Sequence, residues 1–206
     1  MFIVFGGSFD PVHIGHIVIA RDVREEMGAE EVLFVPAHHA PLKEGHRASP
    51  EDRLRMLEIA LDGEEGFSIE DYEIKKGGIS YTVDTLRYLR EKRGEEPYLL
   101  LGADSVLKFH LWREPERIVQ MAKLIVVDRG GKLGEVRNYI SERFSSLKEG
   151  KNLFLLKVRR VDISATEIRE RIAHGKSIYC LVPEGVRNYI ERKGLYGFMG
   201  RSPQSS

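Results

Sequence analysis

The sequence predicts an α/β fold, a Rossmann-like open parallel sheet with helices on both faces and a helical segment at its C-terminal end. Three observations predict it. Five short, almost uninterrupted apolar runs recur along the 206 residues, and a parallel strand covered by helices on both faces reads in this way. Between the runs, apolar residues return at helical spacing, and such alternation implies parallel pairing through right-handed crossovers. The first run stops at Gly6-Gly7 with a helix directly behind it. That places a glycine turn at the carboxyl end of a strand, where open sheets of this class bind ligands.

The first strand is Phe2-Ile3-Val4-Phe5, and Ile14, Ile17, Val18, Val23 and Met27 trace the helix after it. Gly28 suits the left-handed residue that closes a helix. Val32-Leu33-Phe34-Val35 is the second strand, halted by Pro36, which has no N–H for the ladder. Ser49, Pro50 and Asp52 supply an N-cap, a proline at the first helical position and an acidic partner ahead of Leu54, Leu57, Ile59 and Leu61. Thr82 caps a helix through Val83, Leu86 and Leu89. Tyr98-Leu99-Leu100-Leu101, ending at Gly102, and Leu124-Ile125-Val126-Val127 are the third and fourth strands. Val136, Tyr139, Ile140, Phe144 and Leu147 mark a helix, and Phe154-Leu155-Leu156-Lys157-Val158 the fifth strand. Two helices finish the chain. One runs over 165–174, capped by Ser164 with Glu167 three residues on, and one over 186–193, entered through Pro183 and left at Gly194. The expected organisation is one domain over 1–196 and a disordered tail over 197–206, without internal repeats.

Thirty-two basic residues balance thirty-two acidic ones, so no global field draws the chain to nucleic acid or to an anionic membrane. The lone cysteine, Cys180, excludes an intramolecular disulfide and a multi-cysteine zinc site, and reads as a small buried apolar residue in a reducing compartment. Met1 runs into an apolar strand with no basic region before it, and no apolar run approaches the length of a membrane span. A cytoplasmic protein is expected. The sequence leaves homo-oligomerisation open.

The chemistry gathers at strand ends. Without side chains, Gly6 and Gly7 let a polyanion approach backbone N–H groups beside a positive helix end. The spacing is not the dinucleotide fingerprint, since His13 and His16 stand where a third close-packing glycine would be. Three residues apart in the first turn, those histidines can both reach an anion, with Gly15 leaving room for a base or ribose. Two hydrogen-bonded histidines packing a helix start have the same pattern. Ser164-Ala165-Thr166-Glu167-Ile168-Arg169 sets hydroxyls, free N–H groups and a guanidinium at another helix start, and suits β- and γ-phosphates as well as simple capping. Lys43 follows a strand end and a proline-bounded loop. Tyr81-Thr82 precede a helix whose amides could receive a carboxylate, and Trp112 offers a broad face for stacking or for filling a core.

The segment Gly6-Gly7-Ser8-Phe9-Asp10-Pro11-Val12-His13-Ile14-Gly15-His16 resembles the signature of the nucleotidyltransferase α/β phosphodiesterase superfamily. Within it, the chain is most similar to the bacterial nicotinate-nucleotide adenylyltransferases. The likeness continues through Pro36-Ala37-His38-His39-Ala40-Pro41-Leu42-Lys43, Gly78-Ile79-Ser80-Tyr81-Thr82-Val83-Asp84-Thr85-Leu86, Gly102-Ala103-Asp104-Ser105 with Trp112, and Ile163-Ser164-Ala165-Thr166-Glu167-Ile168-Arg169, roughly residues 2–196 in all. Lys76 stands where that family commonly has arginine, Ile79 where it has proline and Ala165 where it has a second serine. The His38-His39 pair fills a loop that usually carries smaller or amide residues.

The resemblance implies transfer of AMP from ATP to nicotinate mononucleotide, with small molecules as the partners. It implies ATP held by Gly6, Gly7, Ser8, Phe9, Gly15, His16, Gly102, Asp104, Ser164, Thr166 and Arg169. The acceptor falls to Lys43, Tyr81, Thr82, Trp112 and Arg129. The acceptor phosphate is already ionised, so no protein nucleophile is required. Catalysis by positioning and charge neutralisation falls to His13, His16, Lys43 and Arg169, with Mg²⁺ bridging the phosphates and no protein metal site. Three other readings remain. The chain could adenylylate phosphopantetheine or nicotinamide mononucleotide, act as a non-catalytic nucleotide sensor, or bind metal through His38, His39 and His46.

Overall fold

A computed structural model describes residues 1–42, 45–128 and 130–198. Its centre is one sheet of six strands: β1 (Phe2–Gly7), β2 (Glu31–Pro36), β3 (Phe67–Ile69), β4 (Tyr98–Gly102), β5 (Lys123–Asp128) and β6 (Leu153–Lys157). Every pairing is parallel, in the order β3-β2-β1-β4-β5-β6. The order reverses between β1 and β4, and such a switch point opens a crevice beyond the strand ends.

The helices are α1 (Ile14–Met27), α2 (Pro50–Leu61), α3 (Tyr72–Lys76), α4 (Thr82–Arg93), α5 (Ala103–Val106), α6 (Pro115–Met121), α7 (Leu133–Arg143), α8 (Ala165–Ala173) and α9 (Glu184–Lys193). Side chains alternate along each strand, so Ile3, Val32 and Phe34 join one core with α1, α2, α8 and α9. Phe2, Val4 and Leu33 join another with α4, α5, α6 and α7. Period-two alternation thus builds two cores from strands that read as uniformly apolar.

The five expected strands and the doubly covered sheet are present; several details differ. β3 is a three-residue, half-buried edge strand, too short to stand out as an apolar run. α3, α5 and α6 span five, four and seven residues, too few for helical periodicity to show. Thr82 is the first residue of α4, and Tyr81, in extended conformation, takes the N-cap position without a side-chain bond. Cys180, expected inside, is exposed with φ of +63°. Gly197 and Phe198 were expected in a disordered tail. Instead a 3-10 turn covers Leu195–Gly197, and Phe198 packs against the core. The remainder of that expected tail, 199–206, lies outside the described residues.

α9 rests on α2, with Tyr189 donating from its hydroxyl to Asp52 Oδ1 at 2.7 Å. Ile190, fully buried in α9, supplies apolar contact beneath that bond. Ile190→Ala should therefore cost about 2–5 kcal/mol of unfolding free energy, measured from the urea midpoint at unchanged slope.

Candidate active site

The turn after β1 is shaped by packing under its glycines. Phe9 adopts φ of +47° and tucks beneath Gly7, where an added Cβ would lie 2.9 Å from the ring. Only glycine fits there. Phe9 also meets Phe5, Phe34 and the edge of His16, at ring centroids 5.6, 5.6 and 5.1 Å away. Expected as a nucleotide contact, it lines the cleft while its ring, 2% exposed, forms the apolar floor of the turn. Gly6 is exposed, and a Cβ on it would meet nothing within 4 Å.

Asp10 follows, and its carboxylate is a node. It is 4% exposed, and it accepts from Arg47 N–H at 2.7 Å, Ala48 N–H at 3.2 Å and the Tyr196 hydroxyl at 2.7 Å. Its main-chain carbonyl accepts from Arg169 Nη1 at 2.8 Å. Three donors bound to one buried carboxylate offset the cost of its desolvation.

His13 caps α1 in extended conformation, and its N–H donates to His16 Nδ1 at 3.2 Å. With Nδ1 accepting, a neutral His16 ring carries its proton on Nε2. The two imidazoles stack at 3.7 Å and 26°. Gly15 was expected to leave room for the nucleotide. The structure gives that room to His13, whose Nδ1 would lie 3.0 Å from a Cβ on the glycine. No acidic residue occupies the first turn of α1, so the positive end of a 14-residue helix keeps its field for an anion.

A cleft of about 950 Å³ opens at the switch point. The structure brings Gly6, Gly7, Ser8, His13 and His16 to one wall, and Gly102, Asp104, Ser164, Thr166 and Arg169 to the others. At the start of α8, Ser164 Oγ accepts from Glu167 N–H at 3.1 Å. A cap of this kind takes one orphan donor and leaves the rest of the first turn to an anion. Arg169 also donates from Nη2 to Thr166 Oγ1 at 3.1 Å, so two bonds fix its guanidinium plane. The other cations of the cleft are paired: Lys132 with Asp104 at 2.5 Å, Arg160 with Asp162 at 2.8 Å. Asp104, expected to hold ATP, lines the cleft and sits in that ion pair.

Asp128, buried at the end of β5, accepts from the N–H groups of Gly130 at 2.8 Å and Lys132 at 2.5 Å. Burial pushes its carboxyl up, but the N–H groups of Gly130, Lys132, Gly131 and Leu133 together outweigh burial and hold it below the ordinary aspartate range.

Of the expected acceptor residues, Tyr81, Thr82 and Trp112 do not line this cleft. Tyr81 and Trp112 come near each other through Arg113, whose guanidinium sits 4.6 Å from the Tyr81 ring centroid, while Trp112 leans on Phe109 at 5.2 Å. A mesh of bonds ties this side to the glycine turn. Arg53, fully buried, donates to the carbonyls of Ser8 at 2.7 Å and His38 at 3.0 Å. Burial pulls its guanidinium down from the arginine range, and the Asp10 charge opposes that. His38 N–H donates to Ser80 Oγ at 2.9 Å, and Ser80 N–H to the His39 carbonyl at 2.9 Å. Beneath the loop, burial raises the Glu73 carboxyl, and the Thr85 hydroxyl donates to it at 2.5 Å. His38 Nδ1 lies 3.0 Å from the Gly78 carbonyl, and the His39 and His46 rings stand edge to face at 6.0 Å. Among the described residues no three His, Cys, Asp or Glu gather to hold a metal. Lys43 and Arg129 lie outside the described residues.

A sequence profile described as cytidylyltransferase-like matches residues 4–171. A protein of Aquifex aeolicus, named a probable nicotinate-nucleotide adenylyltransferase, is 61% identical over 168 residues, which are 81% of this chain and 100% of the relative. The chain belongs to the nicotinate-nucleotide adenylyltransferase family. A family member from Hydrogenobaculum, under the same name, is 42% identical over 93% of this chain and 96% of its own. In architecture the chain resembles a Plasmodium falciparum nicotinic acid mononucleotide adenylyltransferase complexed with NaAD. The TM-score is 0.78 at 19% identity, over 96% of this chain and 98% of the other, a likeness of fold.

Sequence reasoning missed Arg53, Asp128, Lys132, Arg160 and Tyr196. The glycine pair ahead of Lys132 follows a strand end, as Gly6-Gly7 does, and that signal could have flagged Asp128 and Lys132. No local pattern marks Arg53 or Tyr196.

Asp128 yields a pH dependence. A carboxyl held below its unfolded value, about 3.9 for aspartate, contributes stability that is complete above that value and lost as pH falls through the lower folded one. The urea midpoint of the wild type should fall on acidification below about pH 4. Asp128→Asn should start less stable and show a shallower fall over that window; an equal slope would remove Asp128 from the account.

Proposed function

We propose that the chain transfers the adenylyl group of ATP to nicotinate mononucleotide, forming nicotinate adenine dinucleotide and pyrophosphate in NAD biosynthesis. The carrying observation is the phosphate cradle at the switch point, in a chain 61% identical to a relative of that name across the relative's full length. An acceptor phosphate oxygen attacks the α-phosphorus in line. The new P–O bond forms as the bond to the bridging oxygen breaks, and that electron pair leaves on pyrophosphate. The protein positions the two phosphates and neutralises charge as it spreads.

We assign the site residues roles that the geometry supports. The open side of Gly6 and the start of α1 receive phosphate oxygens, and His16 Nε2–H donates to the oxygen that gains charge. Ser164, Thr166, the first turn of α8 and the remaining donors of Arg169 take the β- and γ-phosphates. Tyr81, Thr82 and Trp112, with Arg113 against them, take the pyridine side, and Lys43 and Arg129 remain proposed phosphate contacts. Mg²⁺ fits as an ion carried by the ATP phosphates. The carboxylates of Asp104, Asp128 and Asp162 are each already bound to a cation or to N–H groups, so phosphate oxygens and water are its natural ligands. Carried there, it would supply positive charge against the leaving group. No helix among the described residues is long and apolar enough to cross a membrane. We place the reaction in the cytoplasm, in keeping with one cysteine in the whole chain.

Pyrophosphate release from ATP should occur with nicotinate mononucleotide, more weakly with nicotinamide mononucleotide, and not with phosphopantetheine. Release only with phosphopantetheine would overturn the acceptor, and no release with any would favour a sensor. His16→Ala should lower kcat on the order of a hundredfold or more; near-normal turnover would remove His16 from the mechanism.

A further inference from the structure

Tyr196 sits 186 residues from Asp10 in sequence, yet its hydroxyl reaches the Asp10 carboxylate at 2.7 Å. It lies in the 3-10 turn Leu195–Gly197 at φ of +60°, a left-handed conformation that a bulky residue adopts only when its surroundings hold it there. Two things hold it. Its ring packs against the core beside Leu195 and Phe198, and the turn lies against α8, the helix that carries Arg169. Burial and the Asp10 charge push the phenol far above its ordinary range, so the hydroxyl remains a donor.

The contacts form a continuous chain of orientation. Oδ1 of Asp10 accepts from Tyr196 and, at 3.2 Å, from Ala48 N–H, and Oδ2 accepts from Arg47 N–H at 2.7 Å. The carboxylate is thereby fixed from two remote parts of the chain. Its own carbonyl holds Arg169 Nη1 at 2.8 Å, and Thr166 Oγ1 holds Nη2 at 3.1 Å. Arginine has five N–H donors in a rigid plane, so fixing two of them aims the others. Without the phenolic hydroxyl, Oδ1 keeps only the longer bond to Ala48, and the backbone that anchors Arg169 loses a restraint.

We propose that Tyr196 is a positioning residue for adenylyl transfer, acting through Asp10 to aim the Arg169 guanidinium at the phosphate end of the cleft. The inference rests on the reaction proposed above and assigns the C-terminal turn a part in it. Tyr196 touches no substrate.

A double-mutant cycle tests it, with wild type, Tyr196→Phe, Arg169→Ala and the double variant assayed by pyrophosphate release. Phenylalanine keeps the ring packing and removes only the hydroxyl. Y196F should lower kcat on the order of tenfold with KM for nicotinate mononucleotide unchanged, and should cost less than about twofold when Arg169 is already alanine. Wild-type kcat in Y196F, an equal loss in both backgrounds, or a loss confined to the acceptor KM would each overturn the proposal. Calorimetric titration of the same four proteins with ATP reads the effect without any acceptor: Y196F should weaken ATP several-fold in the wild-type background and not beside R169A. An inactive wild type that shows this pattern would sink the acceptor assignment while upholding the positioning role. If Y196F does not fold, Leu195→Ala, which loosens the seat of the same turn and keeps the hydroxyl, carries the same cycle with the same outcomes.

Discussion

One buried carboxylate holds the cleft in shape. Asp10 leaves water at the point where β1 has ended and α1 has not begun, and an unpaired charge there would be untenable. Its pairing is therefore obligatory. The donors that satisfy it come from the loop before α2, from the C-terminal turn and, through its carbonyl, from α8. Two segments far apart in sequence must converge for one anion to be buried, and a third, α8, is tied to the same residue through its main-chain carbonyl. That convergence sets the phosphate end of the cleft as a rigid unit, with orientation paid for by folding and not at the moment of binding.

The turn above Asp10 works because its own residues occupy the space that a longer side chain would need. Phe9 fills the volume under Gly7, and His13 the volume beside Gly15, so the glycines serve internal packing as much as access by ligand. Gly6 alone of the three faces open space. This division explains how a flexible composition gives a stiff turn: two of its glycines are locked by aromatic contacts, and the helix that follows presents an end free of acidic side chains.

How legible this was in the sequence depended on distance along the chain. The sheet and its switch point followed from apolar runs and helical periods, signals contained within a dozen residues. The glycine turn over 6–16 and the helix start over 164–169, which line one cleft, were legible as local structure for the same reason, since glycines, caps and histidines act on their immediate neighbours. Tyr196 and Arg53 were not. Each acts at a point fixed only when the whole chain has folded, 186 residues away for one and 45 for the other. Arg53, inside an amphipathic helix, reads as a solvated charge until tertiary packing buries it. Phe9 stands in the lining of the cleft, and its left-handed backbone sends the ring into the floor of the turn, a packing role that no local pattern marks.

The two ends of the site are joined differently. At the phosphate end, charge meets charge at fixed positions. On the side of Tyr81 and Trp112, Arg53 and Ser80 grip one residue, His38, by its carbonyl and its N–H, and an isolated bridge between His39 and Ile79 extends β2 toward the start of α4. Side chains of the loop add to that frame: His38 Nδ1 lies 3.0 Å from the Gly78 carbonyl, and Lys76 pairs with Asp84 at 3.0 Å. The buried Arg53, bonded to the carbonyls of both Ser8 and His38, keeps the two ends in register.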